Sequence, residues 1–204
     1  MSKKINRKAL VAIVAVIAVI AVVGSSLAWF VTQTSKSQRF LLSGIKASAV
    51  VSFANGKNAV DSEKYKDSNG LYVLSLNEND ENYIGKLRVT VNHSGSSCCL
   101  RVKMAYEWQF SDGSVSQYSS AVPFVFGSDW YDNRNTDYCI YYRGDDDSGK
   151  FSADSMLLIS GFNNNKFDTS GFEDGVTVKV LIEVDAVQFN RYPQLWNIEK
   201  LPWE

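Results

Sequence analysis

The stretch LRVTVNHSGSSCCLRVKMAYEW, residues 87–108, indicates the fold class of this chain. Apolar and polar residues alternate in both of its halves, which is the period of a strand with one buried face and one wet face. The polar residues Asn92–Ser96 separate the two halves and predict a turn. We therefore interpret residues 87–91 and 100–108 as the two strands of a hairpin.

The same two-residue period recurs through the chain after residue 43. About eight strands without a convincing helical period predict an all-β, antiparallel fold, either a β-sandwich or a jelly roll. The order in which the strands pair does not follow from the pattern, and residues 54–70 are predicted to be a solvated loop. The predicted strands are 45–53, 71–76, 87–91, 100–108, 122–126, 138–142, 156–159 and 176–186.

The first 28 residues have the three-part pattern of a secretory signal peptide. A cationic head with four Lys and Arg residues precedes an apolar run from Ala9 to Val23, and small residues follow as far as Ala28. This pattern predicts a hydrophobic signal helix and cleavage between Ala28 and Trp29. The predicted organisation is a signal peptide at 1–28, an N-terminal segment at 29–43 and a β-sandwich domain at 44–204.

A retained membrane anchor is the alternative interpretation of the N-terminus. The run from Ala9 to Val31 would form a helix of about 34 Å, which is long enough to span a bilayer. The small and polar residues Gly24–Ser26 interrupt that run and favour cleavage. We expect contact with a membrane only through this apolar part of the N-terminus.

The charge of the chain argues against nucleic acid as a partner. Residues 1–28 hold four of the 21 Lys and Arg residues and none of the 22 Asp and Glu residues. The rest of the chain therefore carries 17 basic and 22 acidic residues, a net charge of −5. Such a chain has no basic stripe for a phosphate backbone.

The three cysteines leave two interpretations open. Cys98 and Cys99 are neighbours, so on a strand their side chains would point to opposite faces and at most one of them could reach Cys139. A disulfide to Cys139 and three buried free thiols are both compatible with the sequence.

The sequence offers no catalytic or metal-binding arrangement, so we predict a protein that is not an enzyme and has no cofactor or metal. His93, the single histidine, falls in the predicted turn, and neither a His-Glu-x-x-His nor a Gly-x-Ser-x-Gly motif is present. Asp145–Asp147 could collect calcium but lack the ligand spacing of a known loop, so a solvated turn is the favoured interpretation.

An aromatic cluster offers a possible binding platform. Aromatic rings on a flat surface can stack on sugars, but at alternate strand positions they more often fill or flank a core, which is the interpretation we favour. The residues concerned are Trp130, Tyr131, Tyr138, Tyr141 and Tyr142.

The signal junction resembles that of a known family. Residues 28–34, AWFVTQT, followed by residues 43–48, SGIKAS, are similar to the start of the TasA/camelysin family of exported Gram-positive proteins, which carry SipW-type signal peptides. In that family an aromatic stretch and a short polar run lead into the first strand, and Gly44-Ile45 stands where this strand would begin. More distant similarities lie at 83–89, 100–103, 138–142 and 183–188.

The resemblance implies a jelly-roll sandwich, cleavage by a dedicated signal peptidase and, in some members, assembly into extracellular matrix fibres by strand addition. Carried over by position, the donor strand is Trp29–Ser43. The assembly residues are then Trp29, Phe30, Val31, Phe40 and Leu41. Some members are described as metallopeptidases, but this sequence lacks the ligands for that activity.

We therefore expect a secreted or cell-surface structural protein, a subunit of an extracellular matrix or biofilm fibre that assembles by N-terminal strand exchange with other copies or related matrix subunits. The alternative is a membrane-anchored surface module with an uncleaved N-terminal helix. That module would bind glycan or host protein through the aromatic loop around Trp130.

Overall fold

The computed structural model of this 204-residue chain describes residues 44–55, 58–116, 122, 124–162, 167–168, 172 and 175–204. Residues 43–204 form a compact unit of their own. Within the described residues, no helix has the length and apolar character that a membrane span requires.

The described residues form two antiparallel sheets that pack face to face as a sandwich. The four-stranded sheet has the order β2 (Asn58–Asp61), β1 (Lys46–Asn55), β4 (Leu87–Ser94) and β9 (Ser155–Ile159). The six-stranded sheet has the order β3 (Tyr72–Ser75), β10 (Thr177–Gln188), β5 (Cys98–Gln109), β8 (Cys139–Tyr142) and β7 (Trp130–Asp132), and β6 (Val115–Ser116) also pairs with β5. The all-β sandwich prediction is thereby confirmed.

Helical structure in the described residues is limited to single turns. These are the α-helices α1 (Arg134–Asp137) and α2 (Tyr192–Trp196) and the 3-10 turns Glu63–Tyr65 and Ile84–Lys86.

The main core lies between the sheets and consists of alternate residues of both. Val89 and Val91 of β4 face Leu100 and Val102 of β5 across this layer, and all four are at most 1% exposed. Burying one such side chain completely stabilises the fold by about 1.5–3 kcal/mol. The two-residue period noted in the sequence therefore reflects one shared core.

The predicted hairpin of β4 and β5 is wrong. β4 pairs with β1 and β9, whereas β5 pairs with β10 and β8 in the other sheet. Residues 95–97 form an arch from one sheet to the other, because both strands point their apolar residues into the same core from opposite sides. Alternation alone cannot distinguish such an arch from a hairpin.

The arch packs closely on the start of β1. Gly95 has a φ of +108°, and a Cβ at that position would lie 1.8 Å from the carbonyl oxygen of Gly44. Only glycine combines this dihedral with such a close approach of two backbones.

The predictions for 45–53, 71–76, 138–142, 156–159 and 176–186 are confirmed as β1, β3, β8, β9 and β10. The predicted loop at 54–70 is wrong in part, since it contains β2 and the turn at Glu63–Tyr65. Of the residues 122–126, those that the structure describes lie in none of its named strands. Among the described ones, Phe126 forms an isolated bridge with Ile159, while Val122 and Phe124 fill the edge of the core.

A second cluster covers the outer face of the six-stranded sheet. Residues 189–204, called the C-terminal segment below, place Trp196 and Leu201 over side chains that point outward from β5, β8 and β10. The buried members of the cluster are Cys99, Cys139, Tyr141, Val187, Trp196 and Leu201. The sequence analysis did not predict this layer.

Candidate functional site: an open groove between two edge strands

The residues singled out at the N-terminus lie outside the described part of the chain. This holds for the cleavage site at Ala28 and Trp29 and for the donor-strand residues Phe30, Val31, Phe40 and Leu41. In the described sandwich, the places where a further strand could add are the edges of the two sheets.

β1 and β10 each have one edge along which only part of the strand is paired. β2 pairs with β1 only at Ser52–Asn55, and β3 pairs with β10 only at Thr177–Val180. Within the described residues, no strand lies beside β1 at residues 46–51 on the β2 side, or beside β10 from Leu181 onward on the β3 side.

The two open edges lie at the same end of the sandwich. Lys46 is paired with Ser94 and Gln188 with Cys98, so both open stretches lie next to the arch between β4 and β5. β1 and β10 also contact each other across the sandwich. The open edges therefore border one side of the sandwich, formed by β1 and β10 next to the arch, which we call the arch-end groove.

The floor of the arch-end groove is apolar and incompletely covered. Ala47 and Ala49 of β1 are partly exposed although they pack against the core. On β10 the same holds for Ile182, Val184 and Ala186. At the closed end, where β2 and β3 are present, the equivalent positions Val51, Phe53, Val178 and Val180 are buried.

The edge of β1 also offers backbone hydrogen-bonding groups. The carbonyl of Val51 accepts a hydrogen bond from the hydroxyl of Ser62, which fixes the direction of that carbonyl away from β4. Because alternate residues of a strand direct their backbone groups to the same side, Ala47 and Ala49 present an N–H and a C=O to the groove. An extended segment could pair with these groups.

Two other sheet edges are capped by contacts within the chain. On β9, the amide of Gly127 donates to the carbonyl of Leu158 at 3.1 Å and the indole of Trp130 donates to that of Leu157 at 3.1 Å. On β3, the side chain of Asn82 donates to the carbonyl of Val73 at 2.9 Å. Such capping blocks edge-to-edge association.

His93 is a structural residue, and its predicted position in a turn is wrong. It belongs to β4 and is 7% exposed. Its ring nitrogens Nδ1 and Nε2 lie 3.3 and 3.0 Å from the carbonyl oxygens of Ala153 and Ser96, and its ring packs edge-on against Phe151. These contacts join β4 to the chain before β9.

Asp145–Asp147 are exposed and serve the local turn. Asp147 forms an ion pair with Arg143 at 3.1 Å, and a carboxylate oxygen of Asp146 accepts a hydrogen bond from the amide of Ser148 at 3.0 Å. No group of three or more potential metal ligands occurs in the described ranges.

The aromatic cluster does not form one platform. Trp130 is 6% exposed and packs edge-on against Tyr142 in the main core, whereas Tyr141 lies under the C-terminal segment. Tyr138, at 52% exposure, stands apart from both. The rings therefore belong to different layers of the fold.

All three cysteines are free and buried. Cys98 faces the main core and Cys99 the second cluster, as the sequence predicts for neighbours on a strand. Cys139 is paired with Lys103, four residues from Cys99, or about 13 Å along the strand, which is too far for a disulfide. Burial raises the pKa of each thiol to about 12, so none is a reactive nucleophile.

An ion pair that the sequence did not suggest joins the end of β7 to β5 through Arg134, which is 5% exposed, whereas its partner Asp132 is exposed. The guanidinium of Arg134 makes two hydrogen bonds of 2.8 Å with the carboxylate of Asp132, and donates to the hydroxyl of Tyr106 and the carbonyl of Val122. Burial tends to raise the pKa of Asp132, but the bonds from Arg134 lower it overall. This network is structural, since all of these contacts are internal.

Comparison with known proteins adds no relative. No protein-family model, no curated protein and no solved structure matches this chain.

Proposed function

We propose that this chain is a secreted or cell-surface structural protein, a subunit of an extracellular matrix or biofilm fibre that assembles by strand exchange. In this proposal a signal peptidase removes a signal helix after Ala28. The freed segment Trp29–Ser43 then adds as a strand to the arch-end groove of another copy. The strands would have jelly-roll connectivity.

The arch-end groove is the observation that carries the proposal. An added strand gains affinity from main-chain hydrogen bonds at an edge, and register from side chains that enter an apolar floor at alternate positions. The groove supplies both features, through the open edge of β1 and the partly exposed residues Ala47, Ala49, Ile182 and Val184.

The charge distribution supports the same proposal. Residues 29–43 contain Lys36 and Arg39 and no acidic residue. Residues 44–204 contain 15 Lys and Arg residues against 22 Asp and Glu residues, a net charge of −7. A basic segment is attracted to an acidic sandwich, which raises the rate of encounter at low ionic strength.

Such an exchange generates fibres when it runs head to tail. A contact between a segment on one copy and a groove on the next is heterologous, and it propagates without limit unless the rotation between copies closes a ring. A basic segment, an acidic acceptor and an open sheet edge are the parts that this mode of assembly needs.

Deletion of residues 29–38 tests the proposal. We expect the chain 29–204 to form fibres under the electron microscope, and the chain lacking 29–38 to remain monomeric in sedimentation. Equal melting temperatures would show that both chains are folded. Equal polymerisation of the two chains would refute the proposal.

Mass spectrometry of the exported protein tests the cleavage step. We expect an N-terminus at Trp29. An intact Met1 or Ser2 would instead support the anchored binding module.

A further inference from the structure

We infer that Ala47 and Ala49 determine which strand the arch-end groove accepts, namely an extended segment with two bulky apolar side chains two residues apart, from a second copy of this chain. The inference rests on the proposed function and adds the side-chain specificity of the acceptor.

The inward side chains of β1 differ in size between its two ends. At the closed end of β1 the inward positions hold Val51 and Phe53, which are 6% and 0% exposed. At the open end the same face holds the small residues Ala47 and Ala49, both partly exposed. Both alanines pack against the core and stay partly exposed, so this end keeps apolar surface that further side chains can cover.

The two alanines also define a spacing along β1. Ala47 and Ala49 are two residues apart on one strand, so they lie about 6.6 Å apart along it. A strand added beside β1 would place its own inward side chains at the same interval. The added strand covers both Ala47 and Ala49 only if two of its successive inward residues are large and apolar.

The incoming strand comes from the chain before β1 in this inference. Residues 29–43 contain two apolar pairs with this spacing, Trp29 with Val31 and Phe40 with Leu42. Leu42 is four residues from the start of β1 at Lys46 and reaches at most about 14 Å from it. Trp29 and Val31 are separated from β1 by a longer stretch and reach about 50 Å.

A distance of about 50 Å is enough to reach a neighbouring copy. A compact unit of this size has a radius of gyration of about 15 Å, hence a diameter of about 40 Å. We therefore assign the inward positions of the incoming strand to Trp29 and Val31, with Phe30 and Thr32 pointing away from the groove.

Peptide binding tests this assignment without fibre formation. The probe is a synthetic peptide of residues 29–37, and the acceptor is the chain lacking residues 29–38, checked for native melting. Ala49→Leu fills the groove floor, whereas Val50→Leu changes an outward residue that is 48% exposed. We expect Ala49→Leu to weaken binding by about tenfold or more and Val50→Leu to leave it unchanged.

Variant peptides provide the second measurement, which remains informative if Ala49→Leu fails to fold. Substitution of Trp29 and Val31 by Ser should abolish binding, while substitution of Phe30 and Thr32 should be tolerated. Equal binding of both peptides, or of both Leu variants, would overturn the inference and leave strand exchange intact. Absence of peptide binding would also overturn it, while the fibre assay decides the proposed function independently.

Discussion

Substitution of Trp196 by alanine is expected to expose two of the three thiols and to leave the third protected. Trp196 is 7% exposed and holds the C-terminal segment on the six-stranded sheet. Its ring lies 4.6 Å from the guanidinium of Arg101 and 5.7 Å from the ring of Tyr141. Cys99 and Cys139 lie under this segment, whereas Cys98 faces the main core.

The magnitude follows from the loss of this side chain. Replacing a buried Trp by Ala costs about 3–5 kcal/mol. The indole N–H of Trp196 is buried without a hydrogen-bond partner among the described residues, which favours the lower end of that range. A loss of about 3 kcal/mol shifts the opening equilibrium of the segment by about two orders of magnitude.

The assay is the rate of thiol alkylation under native conditions, with the modified cysteines identified by peptide mapping. We expect Cys99 and Cys139 to react about 100-fold faster in Trp196→Ala, and Cys98 to remain unreactive until global unfolding. Leu195→Ala is the matched control, because Leu195 is adjacent in sequence but 43% exposed. Simultaneous reaction of all three thiols would refute the idea of a separately opening layer.

Two further predictions concern the arch and an ion pair of β10. Gly95→Ala should lower the free energy of unfolding in urea by about 2 kcal/mol or more, because the new Cβ would collide with the carbonyl of Gly44. Gly113 also has a positive φ, but a Cβ added there would meet no atom within 4 Å, so Gly113→Ala should lower the free energy of unfolding by less. Equal losses in the two variants would contradict a clash at Gly95. Asp67→Asn should destabilise the protein by about 1 kcal/mol at pH 7, where the carboxylate is paired with Lys179 at 3.2 Å. Burial tends to raise the pKa of Asp67, but hydrogen bonds from Leu71 and Lys179 lower it overall, so the deficit measured by thermal melting should shrink as the pH falls below about 4 and should not grow there.

The period of apolar residues was sufficient to predict most strands but not their partners. In β4 and β5, alternation indicates which side chains enter the core. The same alternation is expected for a hairpin and for an arch between two sheets. The C-terminal segment has no repeating period, because Trp196 and Leu201 fit a surface formed by three distant strands.

The arch-end groove escaped prediction because it depends on where neighbouring strands end. β2 and β3 are each four residues long, whereas β1 and β10 have 10 and 12 residues. These differences in strand length depend on which strands pair, and the alternation of apolar residues does not indicate the pairing. One local signal was available, since small residues at the inward positions 47 and 49 precede larger ones at 51 and 53.

The pairing of β5 with β10 has a consequence for the order of folding. The two strands pair over their whole lengths, from Cys98 with Gln188 to Gln109 with Thr177. Contacts so distant in sequence require closure of a long loop before any stabilising interaction forms, so we expect slow folding. A chain synthesised from its N-terminus cannot complete the six-stranded sheet until β10 has left the ribosome, so β5 waits for its longest partner until synthesis is almost complete.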